Sequence, residues 1–270
     1  MSISTLNKQT ALITGASGGI GLELARVFSS EGFNLVLVAR SADKLNILAD
    51  ELQSAYGIKA DVLVQDLSER GSAMKVYESL RERNIAVDVL VNNAGFAVYG
   101  NYLTSDTKAE ADMIDLNICT LVELTKLFLK EMVERGKGRI MNVASTASFQ
   151  PGPMMAVYYA TKAFVLSFTE AVKEEIRNTQ VTLTALCPGP TVSGFQDRAN
   201  MHGIPLVSKM FLMDSRTVAV AGYKGLMKGK AVVIPGLLNK LVAFSTRLGP
   251  RWLVRRIVWM LSQKSGGAHA

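Results

Sequence analysis

Histidine and cysteine are scarce in this chain: 270 residues hold two of each, His202 and His269, Cys119 and Cys187. No pair among them has metal-ligand spacing, so a zinc or other metal site is not expected. Both cysteines lie in apolar stretches and read as buried free thiols rather than a disulfide framework, which suits a reducing compartment. No apolar run approaches the ~18 uninterrupted residues of a membrane span. The opening residues, 1–9, are polar and lack the apolar core of a secretory signal. These absences lead us to expect a cytoplasmic protein. Acid is missing in one region only. From Gly236 to Ala270 there are six basic residues (Lys240, Arg247, Arg251, Arg255, Arg256, Lys264) and no Asp or Glu, which leaves 24 basic against 23 acidic residues elsewhere. The net charge of +7 therefore belongs to the tail, and nothing suggests general nucleic-acid binding.

Apolar residues make up 49% of the chain, ample for a large core. No composition shift, repeat or low-complexity run divides it, so residues 1–235 read as one α/β domain and 236–270 as a tail. Thr10 to Thr14 is a short apolar strand, followed at once by Gly15-Ala16-Ser17-Gly18-Gly19-Ile20-Gly21 and a helical pattern from Leu22 to Ser30. Strand, glycine turn and helix form the context in which backbone amides and a helix N-terminus receive a phosphate. Gly15 permits the tight turn, while Gly19 and Gly21 let a ligand and the sheet approach the backbone. The spacing is G-x-x-x-G-x-G, so the turn should be longer than in the common G-x-G-x-x-G fingerprint.

A second strand, 34–39, ends in Ala39 and Arg40, where a site for NAD would place a carboxylate. A guanidinium suits the extra phosphate of NADP(H). Strands at 60–64 and 88–91 end near Asp66-Leu67 and Asn92-Asn93-Ala94-Gly95, the side on which an open α/β sheet binds ligands. Lys108 to Glu134 reads as one long helix with Asn117 amid apolar neighbours, and such an asparagine needs partners. Further on, Val181 to Cys187 is a strand closed by Pro188-Gly189-Pro190-Thr191. The segment 191–213 loses periodicity and becomes rich in Met, Phe and Leu, as lids over apolar substrates do.

The segment from Arg139 to Phe164 organises the rest. A buried strand over Arg139–Ala144 gives way to Ser145, Gln150-Pro151-Gly152-Pro153 breaks regular structure, and a helix begins around Tyr158. Tyr158 and Lys162 are four apart and share a helix face, whereas Tyr159 has Ala163 at that offset. An ammonium close to a phenol lowers its pKa toward the range useful for general acid–base work. Ser145 could hold a substrate oxygen while the proton moves.

Taken together, Thr14-Gly15-x-x-x-Gly19-Ile20-Gly21, Asn92-Asn93-Ala94-Gly95, Asn117, Ser145, Tyr158-x-x-x-Lys162 and Pro188-Gly189 resemble the short-chain dehydrogenase/reductase family over about residues 8–235. The resemblance implies a Rossmann-like, doubly wound sheet of seven parallel strands with helices on both faces. It implies Tyr158 as proton donor, Ser145 as the group polarising a carbonyl, Lys162 binding the nicotinamide ribose, and Asn117 anchoring a water. Cofactor contacts are then expected from Gly15, Ser17, Gly19, Ile20, Gly21, Arg40, Asp66, Leu67, Asn93, Ala94, Gly95, Tyr158, Lys162, Pro188, Gly189 and Thr191. Gly18 stands where many NADP-preferring members carry a base, which leaves Arg40 to meet the phosphate nearly alone. The family often forms dimers or tetramers.

Two tail helices are predicted, Gly236 to Leu248 and Pro250 to Lys264. The second sorts Leu253, Val254, Ile257, Val258, Met260 and Leu261 to one side and Arg251, Arg255 and Arg256 to the other, with Trp252 and Trp259 among them. Such a helix lies on a membrane surface or packs on its own domain or a partner subunit. The chain thus reads as an NADPH-dependent reductase of a carbonyl on a hydrophobic small molecule (keto-acyl, steroid-like or xenobiotic). A cofactor-binding regulatory protein or peripheral-membrane scaffold without turnover is the alternative.

Overall fold

The computed structural model describes residues 8–194 and 212–263. Seven strands form one sheet: β1 (Thr10–Thr14), β2 (Asn34–Ala39), β3 (Ala60–Val64), β4 (Val89–Asn92), β5 (Gly138–Val143), β6 (Val181–Leu186) and β7 (Val232–Val233). All neighbours pair in parallel, in the order β3-β2-β1-β4-β5-β6-β7. This is the expected Rossmann-like doubly wound sheet. The order reverses between β1 and β4, so a crevice opens beyond their carboxyl ends.

Strand periodicity divides the core into two layers. Ala11, Ile13, Leu35 and Leu37 point to one face and pack with Leu24 and Phe28 of α1 (Gly19–Ser30) and Leu45, Leu48 and Leu52 of α2 (Ala42–Tyr56). Leu12, Val36 and Val38 point to the other, against Val76 and Leu80 of α3 (Ser72–Glu82). A sheet buried on both faces explains why its strands read as continuous apolar runs.

The predicted helix 108–134 is not continuous. It comprises α4 (Thr107–Ile114), a π-helical segment (Asp115–Thr120) and α5 (Leu121–Glu134). The wider turn buries Asn117 and rotates Cys119 to the surface, correcting the expectation that both cysteines are buried; Cys187 alone is. After β5 come a 3₁₀ turn (Thr146–Phe149), α6 (Ala156–Glu175), α7 (Ser215–Met227), α8 (Leu237–Ser245) and α9 (Arg251–Ser262). Most of the predicted lid, residues 195–211, lies outside the described residues. Its flanks are joined: Val192 N–H donates to Met213 O at 2.8 Å and Met213 N–H to Pro190 O at 2.9 Å. Among the described residues no helix is long and apolar enough to cross a membrane.

The glycine turn shows what the sequence spacing requires. Gly15 adopts a φ of 68°, and a Cβ on Gly21 would sit 2.3 Å from Gly15 O and 2.4 Å from Asn93 Nδ2. Gly18, with φ near 180°, has open space beside it. Gly21→Ala is therefore expected to lower Tm by roughly 5–10 °C, whereas Gly18→Ala leaves it unchanged; thermal unfolding followed by circular dichroism checks both.

Candidate active site

A cleft of about 1360 Å³ runs along the carboxyl ends of the strands. Its volume exceeds the ~300–1,000 Å³ of a site for one drug-sized ligand, leaving room for a dinucleotide and a substrate together. Among the described residues no His, Cys, Asp and Glu cluster could hold a metal ion.

Thr14, the last residue of β1, fixes the turn at one end. Its hydroxyl donates to Val91 O at 3.2 Å and accepts from the N–H groups of Asn93 and Ala94 at 2.9 and 3.0 Å. Asn93 in turn donates from Nδ2 to Thr14 O at 2.9 Å. Asn92 is turned inward, donating to Thr125 Oγ1 and Asn142 Oδ1, and serves the core. Gly15, Ser17, Gly19, Ile20, Asn93, Ala94 and Gly95 all line the cleft. Gly21 does not: it fits the turn against Gly15 and Asn93, and so supports the cradle rather than touching a ligand. The N-terminus of α1 carries no side-chain cap and no acidic residue in its first turn, which keeps its amides open to an anion.

Toward β2 and β3 the cleft is bordered by Arg40, Asp66 and Leu67. Arg40 lies 3.5 Å from Asp66 Oδ2. Burial alone would raise the Asp66 carboxyl, but hydrogen bonds from the Ser68 hydroxyl and amide and the Arg40 guanidinium outweigh it and hold the group below its usual value. Leu67 is fixed through its carbonyl, which accepts from Thr120 Oγ1 at 2.8 Å and Ser72 Oγ at 3.3 Å. Lys44, in the first turn of α2, and Ser41 border the same end as Arg40.

At the other end the cleft reaches Ser145, Tyr158 and Lys162, with Pro188, Gly189 and Thr191 beside them. Ser145 caps the 3₁₀ turn, accepting from Ala147 N–H at 3.1 Å and donating to Pro188 O at 3.4 Å. Lys162 is buried, donates from Nζ to Val143 O at 2.9 Å, and lies 5.8 Å from the centre of the Tyr158 ring. The helix face shared by Tyr158 and Lys162 is thus present, but the pKa expectation is corrected. Burial pushes the Tyr158 phenol well above its ordinary value, only partly opposed by a hydrogen bond with Ser145. Burial also brings Lys162 down to about 8. Desolvation of both groups outweighs their mutual influence.

Asn117 does not line the cleft. Its Oδ1 accepts from Phe96 N–H at 3.2 Å, while its Nδ2 donates to Phe96 O at 3.0 Å and to Thr161 Oγ1 at 3.1 Å. A Cβ on Gly95 would meet both Asn117 Oδ1 and Lys162 Nζ. Asn117 therefore locks the loop after β4 to the helix that carries the tyrosine. The sequence reading missed Gln150, Met155 and Tyr159 on the substrate side. Burial raises the Tyr159 phenol to about 12 despite a hydrogen bond with Gln150. It also missed the outer wall, where the tail helices supply Leu238, Asn239, Val242, Val254, Ile257 and Val258. A Cβ on Gly189 would strike Asn239, and Val258 packs in one cluster with Tyr158 and Tyr159. The tail packs on its own domain.

A family model described as short chain dehydrogenase matches residues 9–202. The chain is 33% identical over 187 residues to the ketoacyl reductase HetN of Nostoc sp., covering 69% of this chain and 65% of that protein. It is 29% identical over 219 residues to the 17-beta-hydroxysteroid dehydrogenase type 3 of Homo sapiens, covering 79% of this chain and 69% of that one. The match thus spans about two thirds of each relative's length. A short-chain dehydrogenase from Sphingobium yanoikuyae, solved in complex with NADPH, superposes with a TM-score of 0.80 at 30% identity, covering 97% of this chain and 98% of the other.

Lys162 gives a measurable consequence. Unfolded, it holds its proton up to an ordinary pKa of ~10.4; folded, it loses it near 8. Between those values the unfolded state binds more protons, so this residue makes stability rise with pH. Lys162→Met should be more stable than the parent at about pH 7, by on the order of 1–3 kcal/mol. The gain should shrink as pH approaches about 10, as denaturant titrations without dinucleotide would show.

Proposed function

The chain belongs to the short chain dehydrogenase family, and from that premise we propose that it reduces a carbonyl on a hydrophobic substrate to an alcohol, reversibly, with NADPH. Ketoacyl chains and steroid-like rings are the substrate classes, those that the names of the two curated relatives carry. The observation that carries the reading is the convergence of Ser145, Tyr158 and a buried Lys162, whose Nζ lies 5.8 Å from the Tyr158 ring centre, in a cleft continuous with the glycine turn.

The residues present fit the dinucleotide. Gly15, Ser17, Gly19 and Ile20 would face its pyrophosphate, Asp66 and Leu67 its adenine side, and Asn93, Ala94, Gly95, Lys162, Pro188, Gly189 and Thr191 its nicotinamide side. Bound there, NADPH supplies a hydride. Arg40 favours the phosphorylated cofactor, with Lys44 and Ser41 at hand.

Ser145 donates a hydrogen bond to the substrate oxygen and fixes it beside Tyr158. Tyr158 gives its phenolic proton to that oxygen as charge develops on it. Its raised pKa means that the phenol holds this proton throughout the neutral range. The phenolate left behind is stabilised by the Lys162 ammonium below its ring and by the Ser145 hydroxyl. Asn117 acts as a positioning residue, joining Phe96 of the loop after β4 to Thr161, the residue before Lys162 on α6. The apolar wall from the tail keeps water from the reacting carbonyl.

Tyr158→Phe should lower kcat for ketone reduction about 10³-fold or more and leave the Kd for NADPH within a few-fold. Turnover that survives the change would remove the assigned acid. Arg40→Ala should weaken NADPH about tenfold or more while moving NADH little, and adding Lys44→Ala should widen the gap. Fluorescence titration with both cofactors checks this, and equal losses would refute the preference for NADPH.

A further inference from the structure

The two tail helices each present an apolar flank that nothing described covers. In α8, Leu237, Leu241 and Phe244 follow at intervals of four and three and so form one stripe, and Leu248 stands in the turn just past the helix end. Their exposures are 74%, 58%, 59% and 74%. None of the four lines the cleft; the helix turns Leu238 and Val242 to it and buries only Ala243. In α9 the buried residues are Val258 and Ser262, and Tyr99 fastens that end by donating from its hydroxyl to Ser262 O at 2.7 Å. Trp252, Trp259 and Met260 stay exposed, off the cleft. Both tryptophans of the protein are therefore at this surface.

The charge here has one sign. Lys240, Arg247, Arg251, Arg255 and Arg256 are exposed and make no ion pair among the described residues. No Asp or Glu lies between Gly236 and Ala270. A second copy meeting this surface face to face would set arginine against arginine. Exposed aliphatic side chains, tryptophans and unopposed cations match instead the layered chemistry of an anionic bilayer surface: acyl chains, interface, charged headgroups.

We propose that α8 and α9 dock the protein on an anionic lipid surface. The leucine–phenylalanine stripe and the tryptophans enter the headgroup boundary, and the arginines meet the lipid anions. Because both helices wall the substrate cleft, docking sets the mouth of the cleft beside the lipid. The proposal does not depend on the assigned reaction, since its readout is lipid binding.

Co-sedimentation of the full chain with phosphatidylcholine vesicles, with and without phosphatidylserine, tests it. We expect binding to the phosphatidylserine vesicles that weakens in high salt. Arg255→Glu/Arg256→Glu should reduce it about tenfold or more, and Leu241→Glu/Phe244→Glu should abolish it. Both pairs lie off the cleft, so Tm and NADPH binding should stay unchanged. Failure to bind either vesicle, or binding indifferent to phosphatidylserine and salt, overturns the proposal. So does a shift from dimer to monomer caused by Leu241→Glu/Phe244→Glu without lipid, seen by light scattering, because a second copy would then be the occupant.

Discussion

A lysine held out of water on a strand carbonyl is the constraint around which the site is built. Lys162 donates to Val143 O, the last residue of β5. That bond sets the distance between α6 and the sheet, and it places the Tyr158 ring over the ammonium. Two residues beyond Val143, past the end of β5, stands Ser145, which lines the same end of the cleft as the phenol. A buried ammonium lowers stability unless its hydrogen bonds are satisfied. It is tolerated here because the end of β5 supplies its acceptor, and the turn that follows at once supplies the serine hydroxyl beside the tyrosine.

The other end of the cleft is tied to this one through the switch in strand order. Thr14 links β1 to the loop after β4. That loop continues through Gly95 to Phe96, which Asn117 and Thr161 hold against α6; Thr161 in turn donates to Tyr158 O. Hydrogen bonds, bridged by the backbone of residues 94–96, thus run from the glycine turn to the backbone of the tyrosine. The proposed dinucleotide site and the proposed proton donor are set by one frame, so that a displacement of the turn would displace the chemistry as well.

Legibility in the sequence follows the range of the interactions involved. The sheet was readable because its strands are buried on both faces and end in Gly, Asn and Pro turns, so each announced itself locally. The Tyr158–Lys162 face was readable because it depends only on helical spacing. The π-helical segment at 115–120 was not: its extra width is stabilised by Asn117 reaching Phe96 and Thr161, contacts distant in sequence. Cys119 was misplaced for the same reason. The pKa of Tyr158 was misjudged because the lysine is visible in the sequence, whereas the desolvation that outweighs it depends on tertiary packing, including Val258 from the tail. The tail's amphipathic pattern was visible, but which flank it would bury was decided only by the cleft it closes.

One cause, burial, moves the two titratable groups in opposite directions and so favours one proton arrangement. Near neutral pH the phenol keeps its proton and Lys162 its charge. In the proposed reaction this is the form ready for reduction, an acid with a cation waiting beneath it. Oxidation would begin from the phenolate, which higher pH favours. Raising the pH through about 8 also removes the ammonium that would stabilise that phenolate. The two titrations cooperate in giving a proton to an alkoxide and compete in taking one from an alcohol. Shielding the cleft from water strengthens this bias, because the desolvation that raises the tyrosine is supplied in part by the same tail wall that would receive an apolar substrate.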